Sequence, residues 1–296
     1  MSASQPDRKP RRFPLQLDQV ATVKSSGPKP AAGPAGGARE LLRPQAHLKQ
    51  AEQDRRKQST PQGVGLDSVH VRRRMIERLM ADGIQHPGVL DAFGRVPRHL
   101  FVDTALVNQA YEDTSLPIGL GQTISKPSVV AAMIQLLCVR PGLQAPAEKA
   151  GKFKPLGSCL EIGTGCGYQA ALLGHLARRV VSVERLRDLH LKARGNLDAM
   201  RQHLPEWPDV RLVYGDGMIG HGPQAPYDTI IAAAGGSALP QAWLDQLAPG
   251  GRLVAPMEDG RPGSQVLTIL DRLPDGSLQY SRAGAVLFVP LKSGTT

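Results

Sequence analysis

A glycine-rich turn follows a short apolar run near the middle of the chain, in the segment LEIGTGCGY at residues 160–168. Glycine has no Cβ, so such a turn lets the backbone approach a bound molecule closely. The spacing is GxGxG and not the GxGxxG of dinucleotide-binding proteins, because Tyr168 stands where the third glycine would be. The pattern therefore argues against NAD and leaves two interpretations open, a ligand-binding turn and a purely structural one.

Two acidic residues at later strand ends favour a ligand. Glu184 ends the second apolar run, where a carboxylate can accept hydrogen bonds from both hydroxyls of a ribose. Asp216, in the segment Gly-Asp-Gly after the third run, can accept a hydrogen bond from an adenine amino group. A solvated strand-end Glu and an Asp-Gly turn are common by themselves. With the glycine turn, the two acids favour a nucleoside site, and S-adenosylmethionine is a nucleoside that has no pyrophosphate.

Apolar runs and helical segments alternate from residue 158 onward. The predicted strands are 159–162, 180–183, 211–214, 229–233 and 252–255, with a closing pair at 266–271 and 283–289. The predicted helices are 168–177, 186–201 and 239–247. This alternation predicts a parallel sheet covered by helices on both faces. Ligands of such sheets bind at the carboxyl ends of the strands, where the glycine turn and both acids lie.

Residues 67–140 follow a helical pattern instead. Met75, Ile76, Leu79 and Met80 recur at helical spacing and predict a helix that stops near Gly83. A second short helix is predicted at 89–93 and a third at 127–137, which opens on a proline. An irregular stretch rich in Gly and Pro separates these two helices.

Residues 1–66 are rich in Pro, Gly and Ala, a composition that cannot bury enough apolar surface to fold. We expect a disordered basic tail followed by one folded domain at 67–296, with a helical and loop region at 67–140 and a cofactor-binding sheet at 158–291. Residues 1–68 hold twelve Lys and Arg against six Asp and Glu, which is +6 of the net charge of +10. The folded domain is therefore not expected to carry a basic groove for nucleic acid.

Cysteines, histidines and apolar runs limit the possible functions. Cys138, Cys159 and Cys166 have no CxxC spacing, and their small odd number is typical of a reducing cytoplasm. The eight histidines form no HxxxH pair or Cys/His cluster, so we expect no metal. No apolar run approaches the roughly 20 residues that span a bilayer, so we expect no membrane association.

The chain resembles the bacterial protein-L-isoaspartate O-methyltransferase family from about Val71 to Leu291. The resemblance rests on VPRHLFVD at 96–103, LPIGLGQTIS at 116–125, the glycine turn, VER at 183–185, GDG at 215–217 and FVPL at 288–291. Many methyltransferases share the glycine turn, whereas LPIGLGQTIS is much more specific. The resemblance implies a doubly wound, Rossmann-like S-adenosylmethionine-dependent methyltransferase fold with an N-terminal helical region. Residues 142–157 form an insertion relative to that family.

The resemblance also implies an activity and its residues. The activity is methyl transfer from S-adenosylmethionine to the α-carboxyl of L-isoaspartyl residues in damaged proteins and peptides, which begins their repair. Ser125 matches the family's active-site serine. The implied cofactor contacts are Gly163, Thr164, Gly165, Gly167, Glu184, Asp216, Gly217 and Gln265. The predicted substrate loop comprises Pro117, Ile118, Gly119, Gly121, Gln122, Thr123 and Ile124. We expect a cytoplasmic monomer.

Ser125 has two interpretations. A carboxylate acceptor is already ionised at neutral pH, since such groups have a pKa of about 3.9, so the reaction needs no general base. The serine hydroxyl would then orient the acceptor. Alternatively, Ser125 only caps the helix that begins at Pro127. The family resemblance favours the orienting role. Cys166 is interpreted as a small side chain that fills the turn, since no basic partner is evident to make it a nucleophile.

Two other functions are considered. A nucleic-acid methyltransferase with the same cofactor is suggested by the basic tail and the pI of 9.8. Against it, the sequence lacks an aromatic stacking motif. A catalytically silent module that keeps the nucleoside pocket is the third hypothesis, and the presence of Ser125, Glu184 and Asp216 argues against it.

Overall fold

A computed structural model describes residues 69–143, 153–201, 209–261 and 263–296, all of which belong to one unit at residues 60–296. The predicted tail at 1–66 lies outside the described residues, as does most of the insertion at 142–157. Among the described residues, none of the helices has the length and apolarity needed to cross a membrane.

Three helices precede the main sheet, as predicted: α1 (Val69–Ala81), α2 (Pro87–Arg95) and α3 (Pro127–Cys138). Helix α1 ends where Gly83 adopts a φ of +93°, a conformation that favours glycine, and the Gly83 N–H donates to the carbonyl of Met80 at 3.1 Å. Prolines open α2 and α3 because the first helical position needs no N–H donor.

The stretch between α2 and α3 is more regular than predicted. It holds two 3₁₀ turns, Arg98–Phe101 and Thr104–Gln109, and an antiparallel hairpin of β1 (Leu116–Gly119) and β2 (Gln122–Ile124). Strands of four and three residues are too short for a clear alternating pattern, so their glycines suggested an irregular loop. The predicted substrate loop is therefore a hairpin.

Seven further strands form one sheet in the order β5-β4-β3-β6-β7-β8-β9, in which β3 to β7 pair in parallel and β8 and β9 join antiparallel. The strands are β3 (Gly157–Ile162), β4 (Ala177–Glu184), β5 (Val210–Tyr214), β6 (Tyr227–Ala232), β7 (Leu247–Glu258), β8 (Gln265–Arg272) and β9 (Leu278–Val286). The strand order reverses beside β3, which lies between β4 and β6. Such a reversal opens a crevice at the carboxyl ends of the strands.

The predicted doubly wound fold is confirmed, with corrections at element ends. Helices α4 (Tyr168–Leu176), α5 (Arg187–Arg201) and α6 (Gln241–Gln246) connect the strands. The last strand was predicted at 283–289, but β9 begins at Leu278, because the turn at Gly276 (φ +86°) is tight enough to return the chain at once. Most of β9 is exposed, and Gln279, Ser281 and Arg282 interrupt its first half, so the start of the strand gave no apolar signal.

Successive strand residues point to opposite faces of the sheet and into different clusters. Cys159 of β3 and Val180 of β4 pack in a large cluster with the N-terminal helices. Leu160 and Val181, their neighbours, pack in a second cluster around the fully buried Trp243 of α6. Burial on both faces explains why adjacent positions of these strands are apolar. This packing fixes the strand ends that carry the site.

Candidate active site

A cavity of about 430 Å³ lies at the carboxyl ends of β3 and β4, with the hairpin β1–β2 against it. The glycine turn at 163–165 and Glu184 line it, and so does Ser125, which comes directly after the hairpin. The volume falls within the range of small-molecule sites. The structure thus brings the predicted catalytic residue and most of the predicted cofactor residues to one cavity.

The glycine turn owes its shape to backbone conformations that other residues rarely adopt. Gly163, Gly165 and Gly167 have φ angles of +89°, +56° and +90°. Gly163 and Gly165 line the cavity, together with Thr164. Gly167 is not among the lining residues; a Cβ there would lie 3.4 Å from the Cβ of Ala193. Gly167 therefore allows the start of α4 to pack closely on α5.

Glu184 is held in a fixed orientation at the end of β4. Its Oε2 accepts a hydrogen bond from the N–H of Gly165 at 2.9 Å, and its Oε1 accepts one from the N–H of Leu186 at 3.0 Å. Glu184 is only 5% exposed and lines the cavity. A carboxylate has about four acceptor sites, so two remain for donors from the cavity. These two acceptor sites fit a molecule with two neighbouring hydroxyl donors.

A buried chain of three side chains lies beneath the glycine turn. The hydroxyl of Ser182 donates to the carboxyl of Glu161, and the hydroxyls of Thr164 and Ser182 are 2.6 Å apart. Either hydroxyl can be the donor in this second pair. Thr164 also lines the cavity, where its oxygen can accept a hydrogen bond. Burial raises the pKa of Glu161 to about 8, so its carboxyl is largely protonated at neutral pH.

The structure separates Asp216 and Gln265 from the residues that line the cavity. The Asp216 carboxylate accepts hydrogen bonds from the N–H of Met218 at 2.8 Å and from the N–H of Gly294 at 2.7 Å. The Gln265 amide is paired with the backbone of Phe288, at 2.7 and 3.2 Å. Gln265 is therefore occupied in holding the segment after β9. Neither residue is among the cavity-lining residues of the described chain.

Gly217, in contrast, lines the cavity as predicted for a cofactor contact. A Cβ at this position would come within 2.6 Å of Cγ2 of Ile162, so no other residue fits without displacing the Ile162 side chain. The backbone at Gly217 thus packs directly on the last residue of β3.

The predicted substrate loop lines the cavity in part. Five of its residues do so: Ile118, Gly121, Gln122, Thr123 and Ile124. Pro117 and Gly119 are absent from the lining and are exposed on the alternate positions of β1. On β1 this split follows from strand geometry, since neighbouring residues point to opposite sides, whereas all three residues of β2 line the cavity. Leu120 also lines the cavity, although it was not among the predicted loop residues.

Ser125 is not the cap of helix α3. Lys126 occupies the N-cap position and makes no side-chain capping bond. The capping carboxylate comes from Asp113, which accepts bonds from the N–H and the hydroxyl of Ser128, both at 2.8 Å. The competing interpretation of Ser125 as a helix cap is therefore wrong. Its half-buried side chain lines the cavity instead.

Arg98 is a residue near the site that the sequence analysis did not single out. Its side chain is fully buried, and Nη2 donates to the carbonyl of Ser125 at 2.8 Å. Its guanidinium carbon lies 4.8 Å from the ring centre of Tyr168, the first residue of α4. Its Nε and Nη1 find no hydrogen-bond acceptor among the described residues. The sequence signal that could have indicated a buried arginine was its position among the apolar residues of VPRHLF.

Cys166 also faces the cavity. Burial raises the pKa of its thiol to about 11, so the sulfur is protonated at neutral pH. The carbonyl of Cys166 accepts a bond from Nδ2 of Asn196 at 2.9 Å, which fixes the turn on α5. These observations support the interpretation of a side chain that fills the turn. All three cysteines are free and buried.

The segment after β9 forms a wall that the sequence analysis missed. Residues 289–292 line the cavity. Further along, Gly294 accepts a bond from Nε of Arg185 at 3.0 Å, and the N–H of Thr296 donates to the Arg185 carbonyl at 3.0 Å. Only the family resemblance of FVPL pointed to this segment. Within the described ranges, no group of three or more His, Cys, Asp or Glu side chains is arranged to hold a metal.

Sequence comparison finds close relatives over the full length of the chain. A protein-L-isoaspartate O-methyltransferase of Methylibium petroleiphilum is 58% identical over 296 residues and covers 100% of both chains. The enzyme of that name from Leptothrix cholodnii is 55% identical and covers 100% of this chain and 98% of its own. Both alignments include residues 1–66.

Structural comparison finds the same fold. A solved protein-L-isoaspartate O-methyltransferase matches with a TM-score of 0.62 and 26% identity, over 75% of this chain and 66% of its own. A beta-aspartate methyltransferase of Plasmodium falciparum in complex with S-adenosyl-L-homocysteine matches with a TM-score of 0.60 and 23% identity, over 75% and 98%. The model of the protein-L-isoaspartate(D-aspartate) O-methyltransferase family matches residues 70–296. The chain belongs to this family.

Proposed function

We propose that the cavity between the glycine turn and Ser125 transfers a methyl group from S-adenosylmethionine to the α-carboxyl of L-isoaspartyl residues in damaged proteins and peptides. Family membership supports this activity and this cofactor. The observation that carries the assignment to this cavity is that Glu184 and Ser125 line the same 430 Å³ space. One site can therefore hold both reactants, and methylation of the isoaspartyl carboxyl starts the repair of the damaged residue.

We assign the nucleoside to the strand-end side of the cavity. The two free acceptor sites of Glu184 suit the ribose hydroxyls. Gly163, Gly165 and Gly217 have no side chains, so a flat ligand can lie directly against their backbone. The Thr164 oxygen suits a donor such as an ammonium group. Three predicted cofactor residues support this side indirectly. Gly167 packs on α5, and Asp216 and Gln265 hold the segment after β9.

We assign the acceptor to the Ser125 side. S-adenosylmethionine supplies an electrophilic methyl group on a positively charged sulfur, and the acceptor carboxylate is ionised at neutral pH. The chain's task is therefore to align the two, and good alignment can contribute about 7–11 kcal/mol. The hydroxyl of Ser125 donates a hydrogen bond to the carboxylate and orients one oxygen. The hairpin excludes water from the charges that neutralise one another during transfer.

No side chain has to remove a proton, and the lining groups agree with that. The Cys166 thiol is protonated at neutral pH, and both oxygens of Glu184 accept backbone bonds. Glu161 lies behind Thr164 and carries its own proton at neutral pH. The rate should consequently show little dependence on pH from the chain's own groups as long as the acceptor stays ionised.

The experiment that tests this function measures labelled methyl transfer to an isoaspartyl peptide, with the peptide of the same sequence that carries normal aspartate as control. We expect methylation of the isoaspartyl peptide alone, and an ester that is lost with base. Equal labelling of the two peptides, or labelling of neither, contradicts the proposal. The second outcome, with S-adenosylmethionine still bound, would favour the silent module.

The nucleic-acid alternative is not favoured. The family assignment speaks against it. The one aromatic side chain among the described residues that line the cavity is Tyr168, which is only 1% exposed and cannot stack on a base. An RNA acceptor included in the same assay should receive no methyl groups.

We further propose a cytoplasmic location, supported by three free and buried cysteines. We propose a monomer, because a single chain supplies both sides of the cavity. Light scattering of the purified protein at several concentrations measures the mass, and a constant dimer mass would contradict the monomer.

A further inference from the structure

The tip of the hairpin β1–β2 carries a leucine in an unfavourable backbone conformation. Leu120 has a φ of +52° and is the one non-glycine residue with a positive φ in the described chain. A branched apolar residue rarely adopts this conformation, whereas glycine, asparagine and aspartate do so readily. Its neighbours Gly119 and Gly121 also have positive φ angles, +98° and +68°. The tip is therefore shaped by three successive left-handed residues, of which the middle one is leucine.

Packing within the chain does not account for this leucine. Leu120 is 57% exposed, while Leu116, Ile118 and Ile124 at the base of the hairpin are buried. A Cβ added at Gly119 or Gly121 would meet nothing within 4 Å among the described residues, so the tip stands in open space. Nevertheless Leu120 lines the same cavity as Ser125. An exposed apolar side chain at the rim of a site is positioned to contact a ligand.

The base of the hairpin is anchored so that the tip has a defined position. Nζ of Lys192, on helix α5, donates to the carbonyl of Ile118 at 3.1 Å and to Oδ1 of Asp103 at 2.8 Å. Arg98 fixes the other end of the hairpin through the Ser125 carbonyl. With both ends held, Leu120 stays at the rim of the acceptor side.

We propose that Leu120 is a specificity-determining residue that contacts an apolar side chain next to the isoaspartyl residue of the peptide. This inference rests on the proposed function of the cavity. Peptide substrates must pass the rim to bring their carboxylate to Ser125, and Leu120 at the hairpin tip is an exposed apolar part of that rim. The unfavourable φ is retained because the leucine contacts substrate.

The test replaces Leu120 by Asn, which tolerates the left-handed conformation, and by Met, which keeps an apolar side chain. Burial of a leucine against substrate contributes enough for Leu120→Asn to raise the KM for a Leu-flanked isoaspartyl peptide by about tenfold. The KM for a Ser-flanked peptide should change by less than about twofold, and so should the affinity for S-adenosyl-L-homocysteine. Leu120→Met should keep the preference for the Leu-flanked peptide. Two peptide sets are measured, one with the flanking Leu or Ser before the isoaspartyl residue and one with it after.

A matched control is Leu278→Asn, at the exposed start of β9, which should leave every KM unchanged. Because Asn adopts the left-handed conformation more readily than Leu, Leu120→Asn should raise or maintain the melting temperature. If Leu120 had a role in stability alone, the KM values would not change. An unchanged KM for the Leu-flanked peptides in Leu120→Asn overturns the proposal. If the wild-type protein methylates no isoaspartyl peptide, the proposed function fails as well, so the two failures are distinguishable.

Discussion

Nη2 of the buried Arg98 lies 2.8 Å from the backbone carbonyl of Ser125. The same guanidinium packs 4.8 Å from the ring centre of Tyr168, which follows the glycine turn. One side chain from the N-terminal region thus contacts both the residue that follows the hairpin and the first residue of α4.

We predict that Arg98→Lys lowers turnover by about tenfold to a hundredfold, because lysine cannot reproduce the guanidinium geometry and a small misplacement of Ser125 is costly. The affinity for S-adenosyl-L-homocysteine should stay within about twofold, since the strand-end contacts are intact. Steady-state kinetics and calorimetry measure the two effects. Arg95→Lys, at an exposed ion pair with Asp91, is the matched control. Normal turnover in a folded Arg98→Lys protein would exclude the positioning role.

Ser125 and Asp113 allow catalysis and helix capping to be separated. We predict that Ser125→Ala slows turnover by about tenfold or more, the loss of one hydrogen bond to a charged group, with an unchanged melting temperature. Asp113→Ala should lower the free energy of unfolding by about 1 kcal/mol, because it removes the cap of α3. Thermal unfolding and turnover of both variants are compared. A Ser125→Ala protein with full activity would remove Ser125 from the site.

Glu184 is predicted to recognise the ribose hydroxyls. In Glu184→Gln an amide group replaces one oxygen, and it must face either the N–H of Gly165 or that of Leu186, both donors. We expect the dissociation constant for S-adenosyl-L-homocysteine to rise by about tenfold or more, measured by calorimetry. Glu258→Gln, exposed at the end of β7, serves as control. Equal affinity in wild type and Glu184→Gln would contradict the assignment.

Glu161 is predicted to make stability depend on pH. Burial raises its pKa from 4.5 to about 8 in the folded protein. Between these values the unfolded chain has released the proton and the folded chain keeps it, so the unfolded state binds fewer protons and stability falls as pH rises. Above a pH of about 8 the folded protein has also released this proton, and Glu161 causes no further loss of stability.

The measurement compares wild type with Glu161→Gln, which stays neutral and can still accept the bond from Ser182. Urea unfolding at a series of pH values should show the variant gaining stability relative to wild type as pH rises from about 5 to about 8, with no further gain above that. A stability difference that is constant with pH would mean that the Glu161 pKa is not raised.

The sequence predicted the sheet and its helices because burial on both faces gives β3, β4 and β6 adjacent apolar residues, such as Val180 and Val181. It predicted Glu184 because an acid at a strand end has a recognisable position. It missed the hairpin β1–β2, whose strands are too short for periodicity, and it began β9 at 283 and not at Leu278 because that strand is mostly exposed.

Contacts between distant parts of the chain could not be predicted from the sequence. Nothing local to Gln265 indicates that its amide pairs with Phe288, and nothing local to Asp113 indicates that it caps α3. The bond from Arg98 to Ser125 spans 27 residues and ends on a backbone carbonyl, which no residue type reveals. Such pairings follow from packing, and packing requires the fold.

The central claim is that the strand-end wall holds the nucleoside while Ser125 holds the acceptor carboxylate in the same cavity. The most direct measurement is a crystal structure with S-adenosyl-L-homocysteine and an isoaspartyl peptide. We predict the ribose hydroxyls on Glu184 and the isoaspartyl carboxylate about 3 Å from Oγ of Ser125. A nucleoside bound away from Glu184, or a peptide carboxylate outside hydrogen-bond distance of Ser125, would contradict the account.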